Sequence, residues 1–290
     1  MPDAPTRTAL VFGASGQIGE ALLARLAGAG WQVFAVSRVP RTPAGGVTWL
    51  TGEFANVGGL PEAVDVVFST GPLDGFAQWY ARGQVATRRV VAFGSTSLDT
   101  KQASADAYER DIVARLQVAE RLVFDTASTN GAAATVLRPT LVYGAGRDQT
   151  LARIAAMGRR MGFFVLPRGA NGKRQPVHVD DLAHAALAVV DAPATHGKAY
   201  ALPGGETLAY RDMVARTLAA LDPPARLWEV PMPVFRTALW LARKAGMMRG
   251  LTDDAVARMR EDLTFDASPA LHDFGYAPRS FILDARAVGS

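Results

Sequence analysis

A chain of 290 residues that is 49% hydrophobic and 20% charged can bury a substantial core, which excludes disorder and predicts one large domain or a domain with an appended lobe. It has no cysteine, which excludes disulfides, thiolate catalysis and zinc–thiolate sites and makes a reducing cytoplasm the expected compartment. A net charge of only +4, with no basic run interleaved with aromatics, argues against nucleic acid and suits a small anionic ligand.

The first apolar run, Thr8 to Phe12, is far too short to span a bilayer, and what precedes it lacks a signal peptide's apolar core, so neither a membrane span nor secretion is expected. The run has strand composition. Gly13, Gly16 and Gly19 follow at three-residue spacing, and Ile18, Leu22, Leu23 and Leu26 then recur with helical period. Strand, tight glycine turn and helix are predicted. Gly13 lets the chain turn, Gly16 leaves bare backbone for a pyrophosphate, and Gly19 lets the helix approach the strand. With Ser15, Gln17 and Ile18 completing the loop, free N–H groups at the helix start face phosphate oxygens. An ordinary strand-to-helix turn is the competing reading.

Gln32 to Val36 is the second predicted strand, and it stops at Ser37-Arg38. A carboxylate at this place would hold the ribose 2′-hydroxyl of NAD, whereas a nearby arginine accommodates the 2′-phosphate of NADP. Ser37 followed by Arg38 therefore predicts NADP(H) over NAD(H), against the alternative of a solvated loop arginine. Val47 to Leu50 is a third strand ending near Glu53-Phe54, a carboxylate and a ring within reach of an adenine, with plain packing the alternative for Phe54. Val64 to Ser69 is a fourth, nearly all apolar as in a parallel sheet covered on both faces. Small residues follow it, Thr70 among them, and permit close passage of a ligand.

Arg89 to Phe93 is the fifth strand, with Gly94-Ser95-Thr96-Ser97 at its carboxyl end, where open α/β sheets bind ligands. A hydroxyl cap or turn is the competing reading. A helix is predicted over Ser104 to Phe124 with Ser104 as N-cap, then a sixth strand over Ala134 to Tyr143 that Pro139 bends or confines to an edge. Leu151 to Met161 reads as a helix, Gly169 to Gln175 as a loop and Pro176 to Val179 as an extended piece before a helix capped by Asp180 or Asp181. Lys198 to Leu202 is a further strand. Beyond Gly204 come helix Tyr210 to Leu221, extended Leu227 to Val230, helices Val234 to Met248 and Thr252 to Leu263, and an irregular tail. The Val234 helix mixes tryptophan and leucine with arginines, the pattern of a membrane-surface helix; a lobe helix with solvated arginines is the favoured reading. His178, Asp180, Asp181 and His184 lack metal-ligand spacing, so no metal is expected.

Taken together, GASGQIG, GSTS, LRPTLVYGAG and QPVHVDDLAHAAL, in that order, resemble the extended or atypical short-chain dehydrogenase/reductases, the group of nucleotide-sugar epimerases and dehydratases. The resemblance covers almost the whole chain. It implies an α/β fold: a Rossmann-like doubly wound parallel sheet formed by residues 1–145 with 175–203, and a smaller mixed C-terminal substrate lobe formed by 146–174 with 204–290. It further implies that Ser95 or Thr96 is the catalytic hydroxyl and that Pro139, between Arg138 and Thr140, passes near the nicotinamide. Arg147, Arg174 and His178 would face the substrate cleft, the arginine forks suiting phosphate. A homodimer through the long helices is consistent with the likeness.

One departure bears on the chemistry. The family carries Tyr-x-x-x-Lys, whose lysine lowers the phenol pKa; Tyr108 lies at a credible distance after Ser95, but position 112 is isoleucine. Lys101 or Arg110 is an alternative source of positive charge, which nothing in the sequence requires. The expected activity is an NADP(H)-binding oxidoreductase or epimerase-like enzyme for a small polar, anionic carbonyl or sugar. The alternative is a non-catalytic NADP(H)-binding sensor or assembly protein.

Overall fold

The structure, a computed structural model, describes residues 6–43, 45–100, 106–148, 150–244 and 253–283. Its first half alternates strands and helices: β1 Thr8–Phe12, α1 Gln17–Gly28, β2 Gln32–Ser37, β3 Val47–Thr51, β4 Ala63–Ser69, α2 Leu73–Tyr80, β5 Ala86–Phe93, α3 Ser97–Thr100, α4 Ala107–Thr129 and β6 Ala133–Pro139. Short β7 (Val142–Tyr143), α5 (Leu151–Met161), β8 (Phe163–Pro167), β9 (Lys173–Arg174), β10 (Val177–His178), α6 (Val179–Ala188) and β11 (Lys198–Leu202) follow. The remainder is β12 Leu208–Ala209, α7 Tyr210–Ala219, β13 Arg226–Val230, α8 Met232–Lys244, α9 Asp253–Arg258 and α10 Ser268–Phe274.

Seven strands form one parallel sheet in the order β11-β6-β5-β4-β1-β2-β3. Alternate residues of each strand face opposite layers. Ala9, Val11, Val66 and Phe68 pack with Leu22 and Leu26 of α1, and Leu182 and Ala186 of α6. Leu10, Phe12, Val67 and Val90 instead meet α2 and α4 through Phe76, Trp79, Ala119 and Val123. Both faces of the inner strands are therefore dry, which is why 66–68 of β4 and 90–93 of β5 read as continuous apolar runs. The chain runs outward from β1 to β2 and β3, then crosses back to β4, so the strand order reverses between β1 and β4. Gly13 leaves β1 at that point.

Besides the short α3, β9 and β12, three larger elements escape the sequence reading. Helix α2 follows Pro72 with only eight residues, too few for a helical period to stand out, yet it buries Phe76 and Trp79 completely. Side chains of this size contribute about 1.5–3 kcal/mol each when removed from water. Strand β8 exists because β13 pairs beside it over Phe163↔Arg226 to Pro167↔Val230, a long-range partner that local pattern does not announce. Helix α10 lies in the expected irregular tail. It packs with Ala270 and Tyr276 in the same layer as α1 and α6, so part of segment 204–290 returns to the sheet.

Two expectations are corrected. Pro139 does not mark an edge, since β6 lies between β5 and β11; it is the last residue of β6, where the missing N–H is tolerated, and the chain leaves the sheet there as expected, β7 pairing with β10. Helix α4 begins later than predicted and is capped by Asp106, whose carboxylate accepts from the Tyr108 N–H at 2.9 Å; the expected cap, Ser104, lies outside the described residues, as do Lys101, Met248 and Arg249. The remaining helices and strands gather in a lobe, where Leu151, Ile154, Leu166, Met213, Val214 and Leu218 form a separate core.

Candidate functional site

A cleft of about 380 Å³ opens at the carboxyl ends of β1, β2, β3 and β4. Gly13, Ser15, Gly16, Ser37, Arg38, Glu53 and Thr70 all line it, seven of the residues that sequence reasoning had selected for a dinucleotide. Phe12, Val36, Gly52, Phe54, Gly71 and Pro72 complete the wall. Gly52 was not anticipated. Glycine directly after the β3 end was its only local signal, and the reason appears in three dimensions: a Cβ there would come 2.6 Å from the Asn56 carbonyl oxygen.

The glycine turn is a cradle that side chains would fill. Gly13 has φ +69°, and a Cβ on it would come 2.6 Å from the Gly71 nitrogen. Gly19 lies against the same turn, where a Cβ would sit 2.3 Å from the Gly13 oxygen, so it serves helix-to-strand approach and does not line the cleft. Ile18 is buried beneath it. Gly16, which lines the cleft, is the N-cap of α1 and offers no capping side chain, so no side chain among the described residues caps the first N–H groups of the helix. Gln17 Oε1 and Ser69 Oγ, flanking this turn, are buried with no hydrogen-bond partner among the described residues. Uncapped donors, bare backbone and two orphaned polar atoms fit a phosphate-bearing ligand with hydroxyl groups.

At the outer end of the cleft, Ser37 closes β2, its Oγ accepting from the Val39 N–H at 3.2 Å. Arg38 is exposed and has no ion pair among the described residues. Phe54 stacks on Phe12 with ring centroids 5.0 Å apart, so it both packs and presents an edge to the cleft.

Beyond β5 the expected catalytic groups separate. Ser95 Oγ donates to Ser97 Oγ at 3.0 Å and accepts from the Ser97 N–H at 3.1 Å, a local turn that holds a half-buried hydroxyl at the strand end. Thr96 is corrected. It is buried, and its hydroxyl is spent on the Pro139 carbonyl at 3.1 Å, so it ties β5 to β6. Pro139 does not line the cleft and acts here as the acceptor of that tie. Tyr108 is corrected as well: 67% exposed in the first turn of α4, it projects into solvent instead of being held against the strand ends. Arg138, beside Gly94, is locked on Glu120 at 3.0 and 2.5 Å and faces Asp99 at 3.5 Å.

The three expected substrate groups also fare differently. Arg174 is buried and gives its guanidinium to the carbonyls of Lys173 and Glu261 at 2.7 Å and of Arg258 at 2.5 Å, closing the end of α9. Burial pushes its pKa down, and with its donors committed to backbone it is an anchor and not a phosphate fork. His178 caps α6, its Nδ1 accepting from the Asp180 N–H at 3.1 Å, so the cap is neither Asp180 nor Asp181. Its ring rests edge-on to Tyr143 at 5.1 Å and against Gly144, where any Cβ would come within 2.3 Å of Nε2. Only Arg147 reaches the cleft region, and it does so on the phosphate side, pairing with Glu20 of α1 and touching the Ser15 carbonyl at 3.4 Å. Among the described residues no cluster of His, Asp and Glu is arranged to hold a metal, and no helix is long and apolar enough to cross a membrane.

Comparison with known proteins bears on the fold. Residues 113–202 match the model of the NAD dependent epimerase/dehydratase family. The chain is 28% identical to a 2-alkyl-3-oxoalkanoate reductase of Stenotrophomonas maltophilia (strain K279a), over 93% of its own length and 94% of that protein. It is 25% identical to a UDP-glucose 4-epimerase of Vibrio cholerae, over 55% of its length and 46% of that protein. Solved structures share the fold: MoeE5 in complex with UDP-glucuronic acid and NAD superposes with TM-score 0.67 at 18% identity, over 94% of each chain. The terminal R domain of the myxalamid PKS-NRPS pathway gives 0.70 at 16% identity, over 99% of this chain and 89% of that one.

Proposed function

We propose that this chain is a member of the extended short-chain dehydrogenase/reductase superfamily and an NADP(H)-preferring oxidoreductase that reduces the carbonyl of a small polar, anionic substrate. The observation that carries the reading is the cradle of Gly13, Gly16 and Gly71 beneath the uncapped start of α1, beside an arginine free of ion pairs among the described residues. A bound dinucleotide supplies or accepts the hydride. The chain's own residues bind and orient. The N–H groups of α1 hold the diphosphate, Ser37 and Arg38 meet the adenosine ribose, and a 2′-phosphate there gains a charge-assisted partner with no carboxylate at position 37 to repel it. Ser95, fixed by Ser97, hydrogen-bonds the reacting oxygen. The proton comes from solvent through that hydroxyl, since Tyr108 stands in water and position 112 carries no lysine. Carbonyl reduction is favoured over sugar epimerisation because a relative that matches along nearly its full length is named a reductase.

A second reading is supported by the same corrections: with Tyr108 exposed and Ile112 in place of lysine, the chain binds NADP(H) without turning it over, as a sensor or assembly protein.

Paired titrations with NADPH and NADH, repeated on Arg38→Ala, test the cofactor. Tighter NADPH binding that falls about tenfold or more in the variant, with NADH unaffected, is the expected result. Preference for NADH discards the role given to Arg38. Oxidation of bound NADPH by a panel of oxo acids, followed by loss of dihydronicotinamide absorbance, separates the enzyme from the sensor: no turnover with intact binding favours the second reading.

A further inference from the structure

The lobe carries a face that its own packing does not use. Helix α8 satisfies its inner side with Phe235 and Leu239, which pack with Val256 against β8 and β13. Its outer side leaves Trp240 and Leu241 more than half exposed, at 57% and 56%. On neighbouring elements, Trp228 of β13 and Met161 at the end of α5 are each 49% exposed, Trp228 lying flat on Phe163 with ring centroids 4.3 Å apart. Between α5, β8 and α8 a groove of about 180 Å³ opens to the surface, and Met157, Met161, Phe163, Phe235, Ala238 and Leu239 supply most of its wholly apolar lining.

The two helices that frame this face carry charge of one sign, and Glu261 stands beside Arg236 on the far side of α8. Helices α5 and α8 carry Arg153, Arg159, Arg160, Arg236, Arg243 and Lys244, with no aspartate or glutamate on either. Lys244 lies over the Trp240 ring at 5.4 Å. The carboxylate next to Trp228, Glu229, is engaged by Arg211 at 3.0 Å. We propose that this face docks on an anionic phospholipid leaflet, with the two tryptophans and Leu241 at the headgroup level, a lipid chain entering the groove, and Arg160, Arg236 and Lys244 on lipid phosphates.

Three features select this occupant. Tryptophan with leucine beside arginine and lysine is the composition that partitions to a bilayer interface, where apolar burial and attraction to anionic lipid add. A second copy docking through the same face would bring these cations against their own symmetry mates, which opposes association. The methionines of the groove adapt to a flexible chain better than to one rigid side chain. The face is built on elements remote in sequence from the dinucleotide turn, so the inference stands whether or not the cofactor assignment does.

Co-sedimentation of the full chain with vesicles of phosphatidylglycerol and phosphatidylcholine, or of phosphatidylcholine alone, tests it. The wild-type protein is expected to pellet with the anionic vesicles, to be released as salt rises, and to ignore the zwitterionic ones. Trp240→Ser/Leu241→Ser and, separately, Arg236→Gln/Lys244→Gln are each expected to lower partitioning about tenfold while their thermal melting stays that of the wild type. The proposal is overturned if wild-type protein stays in the supernatant with anionic vesicles, or if both variants partition as it does. It is also overturned if light scattering shows a dimer that Trp240→Ser/Leu241→Ser dissociates, because a second copy then covers the face.

Discussion

Arg147 and Glu20 join the loop after β7 to the first turn of α1: Arg147 Nη2 stands 2.5 Å from Glu20 Oε2, and Nη1 reaches the Ser15 carbonyl at 3.4 Å. Arg41 approaches the same carboxylate from the β2–β3 loop at 3.8 Å. A carboxylate in the opening turn of a phosphate-binding helix repels an anionic ligand, and two arginines offset that charge. Glu20→Gln is therefore expected to tighten dinucleotide binding about fivefold, and Arg147→Ala to weaken it by a similar factor. Titration with ADP-ribose and with AMP localises the effect. If both variants bind ADP-ribose as the wild type does, the pair is an ordinary surface contact.

Ser95 and Tyr108 were equals in the sequence and are not equals in the fold. Single-turnover reduction of a responsive oxo acid should slow about a hundredfold in Ser95→Ala and remain within about twofold in Tyr108→Phe. A large loss in Tyr108→Phe with unchanged cofactor binding would return the phenol to the mechanism.

Two glycines of α1 make a matched pair. A Cβ at Gly19 would meet the Gly13 oxygen at 2.3 Å and Ala14 Cα at 2.7 Å, backbone atoms that cannot rotate away, whereas one at Gly28 meets nothing within 4 Å. Gly19→Ala should cost about 1–3 kcal/mol and open the phosphate turn. Gly28→Ala should stabilise by about 0.5–1 kcal/mol through helix propensity alone. Denaturant midpoints of the two variants, shifted in opposite directions, are the check.

Asp273 fastens α10 to β11. It accepts from Lys198 Nζ at 2.8 Å and from the Tyr200 hydroxyl at 2.5 Å, and lies 2.8 Å from His272 Nδ1. Those bonds, the Lys198 bond foremost, hold its carboxyl well below the usual range. A depressed folded-state pKa stabilises above the unfolded value of about 3.9 and is lost as pH falls through the folded one. Stability measured downward from about pH 5 should fall less steeply in Asp273→Asn than in the wild type. Parallel curves would show that the carboxylate contributes nothing beyond its shape.

The glycine turn was legible because its requirements are local. Gly13, Gly16 and Gly19 act through their own lack of Cβ, and the strand and helix that flank them carry their periods in neighbouring residues. Leu151–Met161 and Lys198–Leu202 were readable for the same reason. What a side chain can do chemically was not. Arg174, Thr96 and His178 have the right residue types for recognition or catalysis, yet each meets a backbone group brought to it from elsewhere in the fold or from its own helix start: the Arg258 and Glu261 carbonyls, the Pro139 carbonyl, the Asp180 N–H. The sequence by itself determined the parallel sheet and the place of its glycine turn. Tertiary structure alone decided which polar groups remain free, because a donor's availability depends on acceptors that close packing delivers from distant segments, and a buried polar group cannot be left unpaired without cost.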